Sequence, residues 1–433
     1  MIWMLYHPFT ENEYALLREE IRKFNPDVIG MSVPSLAIDI NVAVLEALRK
    51  EFKVPFIWGG TAPTLEPENC IEYVDLVCTN EGEEVIVELA NRIDAGERID
   101  NIAGTWFNDN GNIIKNPKRP LVNLDSIAMP CWKKRHYTFI DENASKSPVF
   151  PKGIRAEYPI MTQRGCPFSC SFCIESRYQE MFGKKDSLRR RDPELVLEEL
   201  RLAKKNLQIR KVLFFDDVFT INPRWLKEFL PRYKEEIDLP FWCYTYPTTH
   251  NLELLKYLKA HGCVSVGMGI QTGSERLLKA HYNRPTERKR IITACQEIVE
   301  TGLEGVFDII SKGPFDTEQD LRDTFELMLE LPQELRCLGY GTMSLTPTID
   351  LRRQTADAGL IASNDYGYDA PLPESLYDYY HKLFHLTRTH IDRDFLRELA
   401  NDPQHRDDQT LLQQLIIEYT KNKEFDGRRW KVT

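Results

Sequence analysis

No run in the 433 residues approaches the ~20 consecutive apolar residues that a bilayer-spanning helix needs, so a membrane span is not expected. The opening Met-Ile-Trp-Met-Leu-Tyr-His-Pro has neither a basic leader nor a small-residue cleavage site, so a signal peptide is not expected either. Ten cysteines in a chain of this length are too few for a disulfide framework, and a reducing, cytoplasmic setting is the default. Positive charge is also short: 56 basic against 66 acidic residues gives −10. Nonspecific nucleic-acid binding is not expected of such a chain. Its densest basic group, Lys184, Lys185, Arg189, Arg190 and Arg191, reads as a solvated approach to a helix. No repeat of solenoid length is evident.

What is present is an ordinary globular composition, with 42% hydrophobic and 28% charged residues, long enough for two or three domains. The first stretch alternates strand and helix. Ile2–Leu5 is a short apolar run, and Glu11–Phe24 places Leu16, Leu17, Ile21 and Phe24 on one helical face. Asp27–Val33, Pro55–Trp58 and Val74–Cys78 read as strands, Ile38–Phe52 and Glu83–Ile93 as helices. Such βα units predict a parallel, Rossmann-like sheet over residues 1–95. Residues 96–155 carry Asn, Asp, Gly and Pro clusters, predicting a linker with a small hairpin, in which Trp106 and Trp132 pack rather than bind. Over 156–350 the alternation resumes, with strands at Pro159–Thr162, Val212–Phe215, Phe241–Tyr246, Val264–Ile270, Gly305–Ile310 and Leu338–Met343. Helices are predicted at Pro193–Asn206, Arg224–Lys234, Leu252–His261, Glu287–Thr301 and Glu318–Leu331. Six strands are too few for a closed eight-stranded barrel, so an open, partial (β/α)6 barrel is expected. Residues 351–433 read as a mainly helical C-terminal region with an apolar stripe of Leu411, Leu412, Leu415 and Ile416. The fold class is therefore α/β.

The chemistry is concentrated in Cys166, Cys170 and Cys173, spaced Cys-x3-Cys-x2-Cys after a predicted strand and before a helix. Three thiolates in so short a loop can converge on one metal centre. A structural zinc site wants four ligands, and no fourth is suitably spaced. A 4Fe–4S cube held by three cysteines keeps one iron free for an exogenous chelate, whereas electron-transfer clusters are held by four.

Arg164-Gly165-Cys166-Pro167-Phe168-Ser169-Cys170-Ser171-Phe172-Cys173 resembles the signature of the radical S-adenosylmethionine superfamily. The resemblance implies a 4Fe–4S cluster whose open iron chelates S-adenosylmethionine, reductive cleavage of a C–S bond and a 5′-deoxyadenosyl radical, with Phe172 near the adenine. Leu213-Phe-Phe-Asp-Asp217 resembles the family's second-strand motif, so Asp216 or Asp217 is expected near the methionine amine. Gly269-Ile-Gln-Thr-Gly-Ser-Glu275 resembles its ribose motif, making Gln271 and Ser274 candidates, with Gln271-Thr272 in place of the usual Glu-Ser. Asp308 to Glu318 resembles the fifth-strand stretch in altered order, and Leu345 to Ile361 the sixth-strand segment without its usual Pro-Gly-Thr.

Pro26-Asp-Val-Ile-Gly-Met-Ser32, Gly59-Gly60 and Glu81-Gly-Glu83 resemble the cobalamin-binding domain that precedes the radical domain in one large subclass. Ser32, Gly59 and Gly60 are the candidate cobalamin contacts, since glycines at strand ends let a flat ligand reach the backbone. The sequence starts at about the second strand of such a domain and lacks Asp-x-His-x-x-Gly; only His7 precedes Ser32, and it reads as structural.

The resemblance implies a cobalamin-dependent methyltransferase acting on an unactivated carbon. The alternative is a cobalamin-independent radical enzyme forming a ring, a C–C bond or a double bond. Methylthio transfer would need three further cluster cysteines, and Cys70, Cys78 and Cys131 read instead as core or surface thiols. A noncatalytic electron carrier conflicts with a three-cysteine cluster. Implied partners are a small-molecule or peptide substrate and an electron donor such as flavodoxin or ferredoxin. Tyr366, Tyr368, Tyr377, Tyr379 and Tyr380 could cover a barrel mouth, but their spacing reads first as packing.

Overall fold

A computed structural model describes residues 8–131, 137–140, 146–147, 157–361 and 367–421. The expected strand at Ile2–Leu5, together with His7, Trp132 and Tyr366, lies outside the described residues. The chain divides into two compact units: residues 1–167, 174–211 and 346–349 form the first, and residues 168–173, 212–345 and 350–433 the second.

In the first unit, α1 (Glu11–Phe24) begins at a capping box between Thr10 and Glu13 and ends at Asn25 in the left-handed conformation. Strand β1 (Ile29–Ser32), helix α2 (Ile38–Arg49), β2 (Phe56–Gly59), β3 (Leu76–Cys78) and α3 (Glu83–Ala95) follow in βα order. β1, β2 and β3 are parallel, with Met31 opposite Trp58 and Trp58 opposite Val77. Trp58, Phe56, Val44, Leu48 and Val77 are fully buried between sheet and helices. Deleting a buried aromatic of this kind typically costs ~3–5 kcal/mol.

The predicted linker contributes more than a hairpin. Strands β4 (Thr105–Asp109) and β5 (Asn112–Lys115) pair antiparallel, and β4 also pairs antiparallel with β3, completing a five-stranded sheet. Trp106 packs on the sheet core, with Lys115 Nζ 3.8 Å from its ring centroid. The unit also holds β6 (Glu157–Ile160), β7 (Gln163–Arg164), α4 (Ile174–Phe182), β8 (Arg189–Arg190) and α5 (Pro193–Leu207). β7 and β8 pair antiparallel, Arg164 opposite Arg189.

The second unit is built on five parallel strands in sequence order: β9 (Lys211–Phe214), β10 (Phe241–Thr245), β11 (Cys263–Gln271), β12 (Glu304–Lys312) and β13 (Arg336–Thr342). With β6, all six strands expected of the partial barrel are formed. Between them run α6 (Pro223–Glu236), α7 (Leu252–Ala260), α8 (Glu275–Ala280), α9 (Arg288–Glu300) and α10 (Glu318–Glu330). One face of β10 shows why: Phe241 and Cys243 are fully buried, and Phe241 meets Phe214 edge-on at 5.3 Å beside Phe229 and Tyr233 of α6. The other face carries half-exposed Trp242 and Tyr244. The C-terminal helices α11 (Glu374–Leu386), α12 (Arg393–Asn401) and α13 (Thr410–Lys421) belong to this unit. Tyr377, Tyr379 and Tyr380 are buried, so these three pack as their spacing suggested. Among the described residues no helix is long and apolar enough to cross a membrane.

Candidate functional site

The cysteine loop sits between β7 and α4. Gly165 adopts φ +87°, and a Cβ there would lie 2.3 Å from the Ser187 carbonyl oxygen, so only glycine lets the chain turn into Cys166. Gln179 Nε2 donates to the Cys166 carbonyl at 2.5 Å. In the second unit, Cys173 N–H donates to the Cys170 carbonyl at 3.0 Å, and Ser171 N–H to the Tyr282 carbonyl at 3.1 Å. Cys170 is buried; Cys166 and Cys173 are partly open. Phe172 meets Tyr282 edge-on at 5.3 Å, and Phe168 stacks on Tyr246 at 3.9 Å.

Sequence reasoning missed Arg284. Its Nη1 lies 3.8 Å from Cys170 Sγ, its Nη2 donates to the Gly269 carbonyl, and its guanidinium covers the Tyr246 ring at 4.1 Å. It is buried, with no carboxylate partner among the described residues. Nothing near it in sequence pointed to this role.

Asp216 is fully buried, while Asp217 keeps an open edge. Partial burial, then the neighbouring Asp216 charge, pushes the Asp217 carboxyl up to about 6. Gln271 ends β11 at φ +76°, beside a register shift at Gly269, a left-handed conformation uncommon for a residue with a side chain. Ser274 is buried, and its hydroxyl is committed: it accepts from Leu277 N–H as the cap of α8 and pairs with Asp320. Gly273 N–H donates to Thr324 Oγ1 at 2.9 Å, locking the same turn onto α10.

In the first unit, Ser32, Gly59 and Gly60 line a groove of about 330 Å³ together with Gly30, Gly82 and Glu83. Gly60 has φ +105°, and a Cβ there would sit 3.0 Å from the Val33 carbonyl oxygen and 3.3 Å from Ser32 Oγ. At Gly59 the nearest atom to a Cβ is Cys78 Cβ at 3.8 Å, so this position faces open space. One buried oxygen on the lining, Glu83 Oε2, and one outside it, Ser35 Oγ, have no hydrogen-bond partner among the described residues. Such atoms call for a polar ligand, and a backbone-lined groove at strand ends fits a cobalamin. Cys70 and Cys78 are buried, and burial pushes the Cys70 thiol up to about 12; Cys131 is exposed. None of the three behaves as a further cluster ligand.

Three thiols at this spacing suit a cube with one open iron. Among the described residues no three His, Cys, Asp or Glu side chains are gathered as around a single ion. Thiolates on separate irons of a cube stand further apart than ligands of one ion, so the triplet rests on donor chemistry and chain spacing. The basic group read as solvated is instead engaged in part: Arg189 pairs with Glu81, Arg190 with the Gln163 side-chain carbonyl, and Arg191 with Glu199.

Residues 160–328 match the Radical SAM superfamily, which gives the class: a radical S-adenosylmethionine enzyme. Residues 8–90 match the B12 binding domain, so a radical S-adenosylmethionine domain and a B12-binding domain share this chain; the first implies a 4Fe–4S cluster and S-adenosylmethionine, the second cobalamin. The chain is 29% identical over 317 residues to an uncharacterized methyltransferase of Pyrococcus horikoshii, covering 72% of this chain and 66% of that protein. It is 25% identical over 345 residues to the anaerobic magnesium-protoporphyrin IX monomethyl ester cyclase of Cereibacter sphaeroides, covering 74% of this chain and 52% of that protein. The chain thus spans between about half and two thirds of the length of these relatives. Its fold matches the radical S-adenosylmethionine methyltransferase TsrM from Kitasatospora setae, solved with cobalamin and a [4Fe-4S] cluster bound, at TM-score 0.65 and 15% identity, covering 95% of this chain and 91% of that one.

Proposed function

We propose that this chain is a cobalamin-dependent methyltransferase that acts on an unactivated carbon of a small-molecule or peptide substrate and draws electrons from a flavodoxin- or ferredoxin-like donor. The observation that carries the reading is the groove at the ends of β1 and β2, floored by Gly30, Gly59 and Gly82 and lined by Glu83, whose buried Oε2 has no hydrogen-bond partner among the described residues. When bound, the cofactors would supply one-electron reduction, a hydrogen-abstracting 5′-deoxyadenosyl radical and a transferable methyl group.

The chain's own residues would do the holding. Cys166, Cys170 and Cys173 would ligate three irons. Asp217 would accept the ammonium of S-adenosylmethionine as a charge-assisted hydrogen bond. Gln271, able both to donate and to accept, would meet the ribose hydroxyls, and Phe172, braced by Tyr282, would border the adenine. Ser32, Gly59 and Gly60 would carry the cobalamin through backbone contacts.

The test is anaerobic turnover with S-adenosylmethionine labelled in its methyl group, using extract metabolites as substrates and mass spectrometry as readout. Label in a product supports methyl transfer. A second reading, ring formation, is favoured by the match to a cyclase over 74% of this chain. It expects a product without label that has lost two hydrogens.

A further inference from the structure

The ion network around Glu81 joins the rim of the groove to the start of the cysteine loop within the first unit. Glu81, Gly82 and Glu83 form the turn after β3; Gly82 and Glu83 line the groove. Glu81 Oε1 accepts from Arg164 Nη1 at 2.7 Å and from Arg189 Nη2 at 2.6 Å. Its Oε2 accepts from Arg189 Nη1 at 3.0 Å and from Val122 N–H at 2.8 Å. The other arm of Arg164 donates to Glu83. Arg164 stands two residues before Cys166, and the residue between them is Gly165, fixed against the Ser187 carbonyl.

A tie between loops would need one of these contacts. Here both carboxylates of the groove-rim turn hold one guanidinium, and a second guanidinium from the paired strand β8 holds the same Glu81. A guanidinium gripped at both arms has a set orientation as well as a set place. Partly buried pairs are also screened less than surface ones, and the Glu81 side chain is only 14% exposed. A displacement of the Glu81–Glu83 turn therefore reaches Cys166 through one side chain and one constrained glycine.

We infer that Glu81 is a positioning residue that couples cobalamin binding in the groove to the cluster loop; this rests on the groove being the cobalamin site. Occupancy of the groove sets where Cys166 stands, and by thermodynamic reciprocity loading the cluster changes cobalamin affinity by the same factor.

The experiment measures hydroxocobalamin affinity by anaerobic absorbance titration of the full chain, stripped of its cluster and reconstituted, in wild type and in Glu81→Gln and Glu81→Asp. Wild type should show an affinity ratio between the two forms of roughly fivefold or more, within the usual range of allosteric coupling. Glu81→Gln should bind both cofactors with that ratio reduced to about one, and Glu81→Asp, which keeps the charge, should recover part of it. If Glu81→Gln does not elute as folded protein, Arg164→Lys takes its place, since an ammonium cannot grip both carboxylates. A wild-type ratio of one, or an unchanged ratio in the variant, overturns the inference while leaving cobalamin binding intact. Wild type that binds no cobalamin in either form overturns both readings.

Discussion

The guanidinium of Arg284 lies 3.8 Å from the sulfur of Cys170, buried and, among the described residues, without a carboxylate to offset its charge. A fixed cation beside a cluster ligand stabilises the more negative, reduced cluster. Removing it should therefore lower the midpoint potential.

Arg284→Met is expected to shift the cluster's potential downward by on the order of 50 mV, close to a tenfold change in the one-electron equilibrium. Redox titration followed by electron spin resonance measures this, with iron content as the control for cluster loading. An unchanged potential at full iron content would mean that solvent or other dipoles compensate the charge.

Asp217 links S-adenosylmethionine binding to pH. Its carboxyl is pushed up to about 6, so its share of apo-protein stability is present below its unfolded value near ~3.9 and is lost as pH rises through about 6. An ammonium ligand needs the ionised form, so binding runs the other way. Affinity for S-adenosylmethionine should fall as pH drops below about 6, approaching tenfold per pH unit for one linked proton. Asp217→Asn should bind weakly at pH 8 and lose the slope. Calorimetry between pH 5 and 8 decides it; a variant that keeps the wild-type profile assigns the contact to Asp216.

Gly59 and Gly60 separate ligand crowding from strain. Gly59→Val adds methyls into open groove, with nothing nearer its Cβ than Cys78 Cβ at 3.8 Å. Cobalamin occupancy should drop with the melting temperature preserved. Gly60→Val forces a branched side chain into φ +105° against the Val33 carbonyl, at a cost of ~1–3 kcal/mol before any ligand arrives. Its melting temperature should fall. Equal occupancy in Gly59→Val and wild type would take the cobalamin out of this groove.

Much of this fold was legible because its elements carry local signals. Glu11–Phe24 has its capping box and left-handed terminal Asn, and Leu252–Ala260 and Glu318–Glu330 have side-chain caps at Asn251 and Thr317. Strand ends differed by a few residues, as hydrogen bonding rather than composition sets them. The addition of β4 and β5 to the first sheet could not be read, since a polar hairpin does not declare which edge it will pair with. The same limit hid the contacts that matter most at the site. Arg164 and Glu81 are 83 positions apart, and Arg284 and Cys170 are 114 apart. Ser274 shows the converse: its motif suggested a ligand contact, and its hydroxyl is taken up by the α8 cap and Asp320.

The most direct measurement is 5′-deoxyadenosine formation by anaerobically reconstituted, gel-filtered protein given S-adenosylmethionine and a strong reductant, with iron and cobalt assayed in the same fractions. Wild type should release 5′-deoxyadenosine and carry both a 4Fe–4S cluster and cobalamin, and the variant with Cys166, Cys170 and Cys173 all changed to Ala should lose the cluster and the 5′-deoxyadenosine together. Cluster-loaded wild type that yields no 5′-deoxyadenosine, or a triple variant that retains a full cluster, would contradict the account.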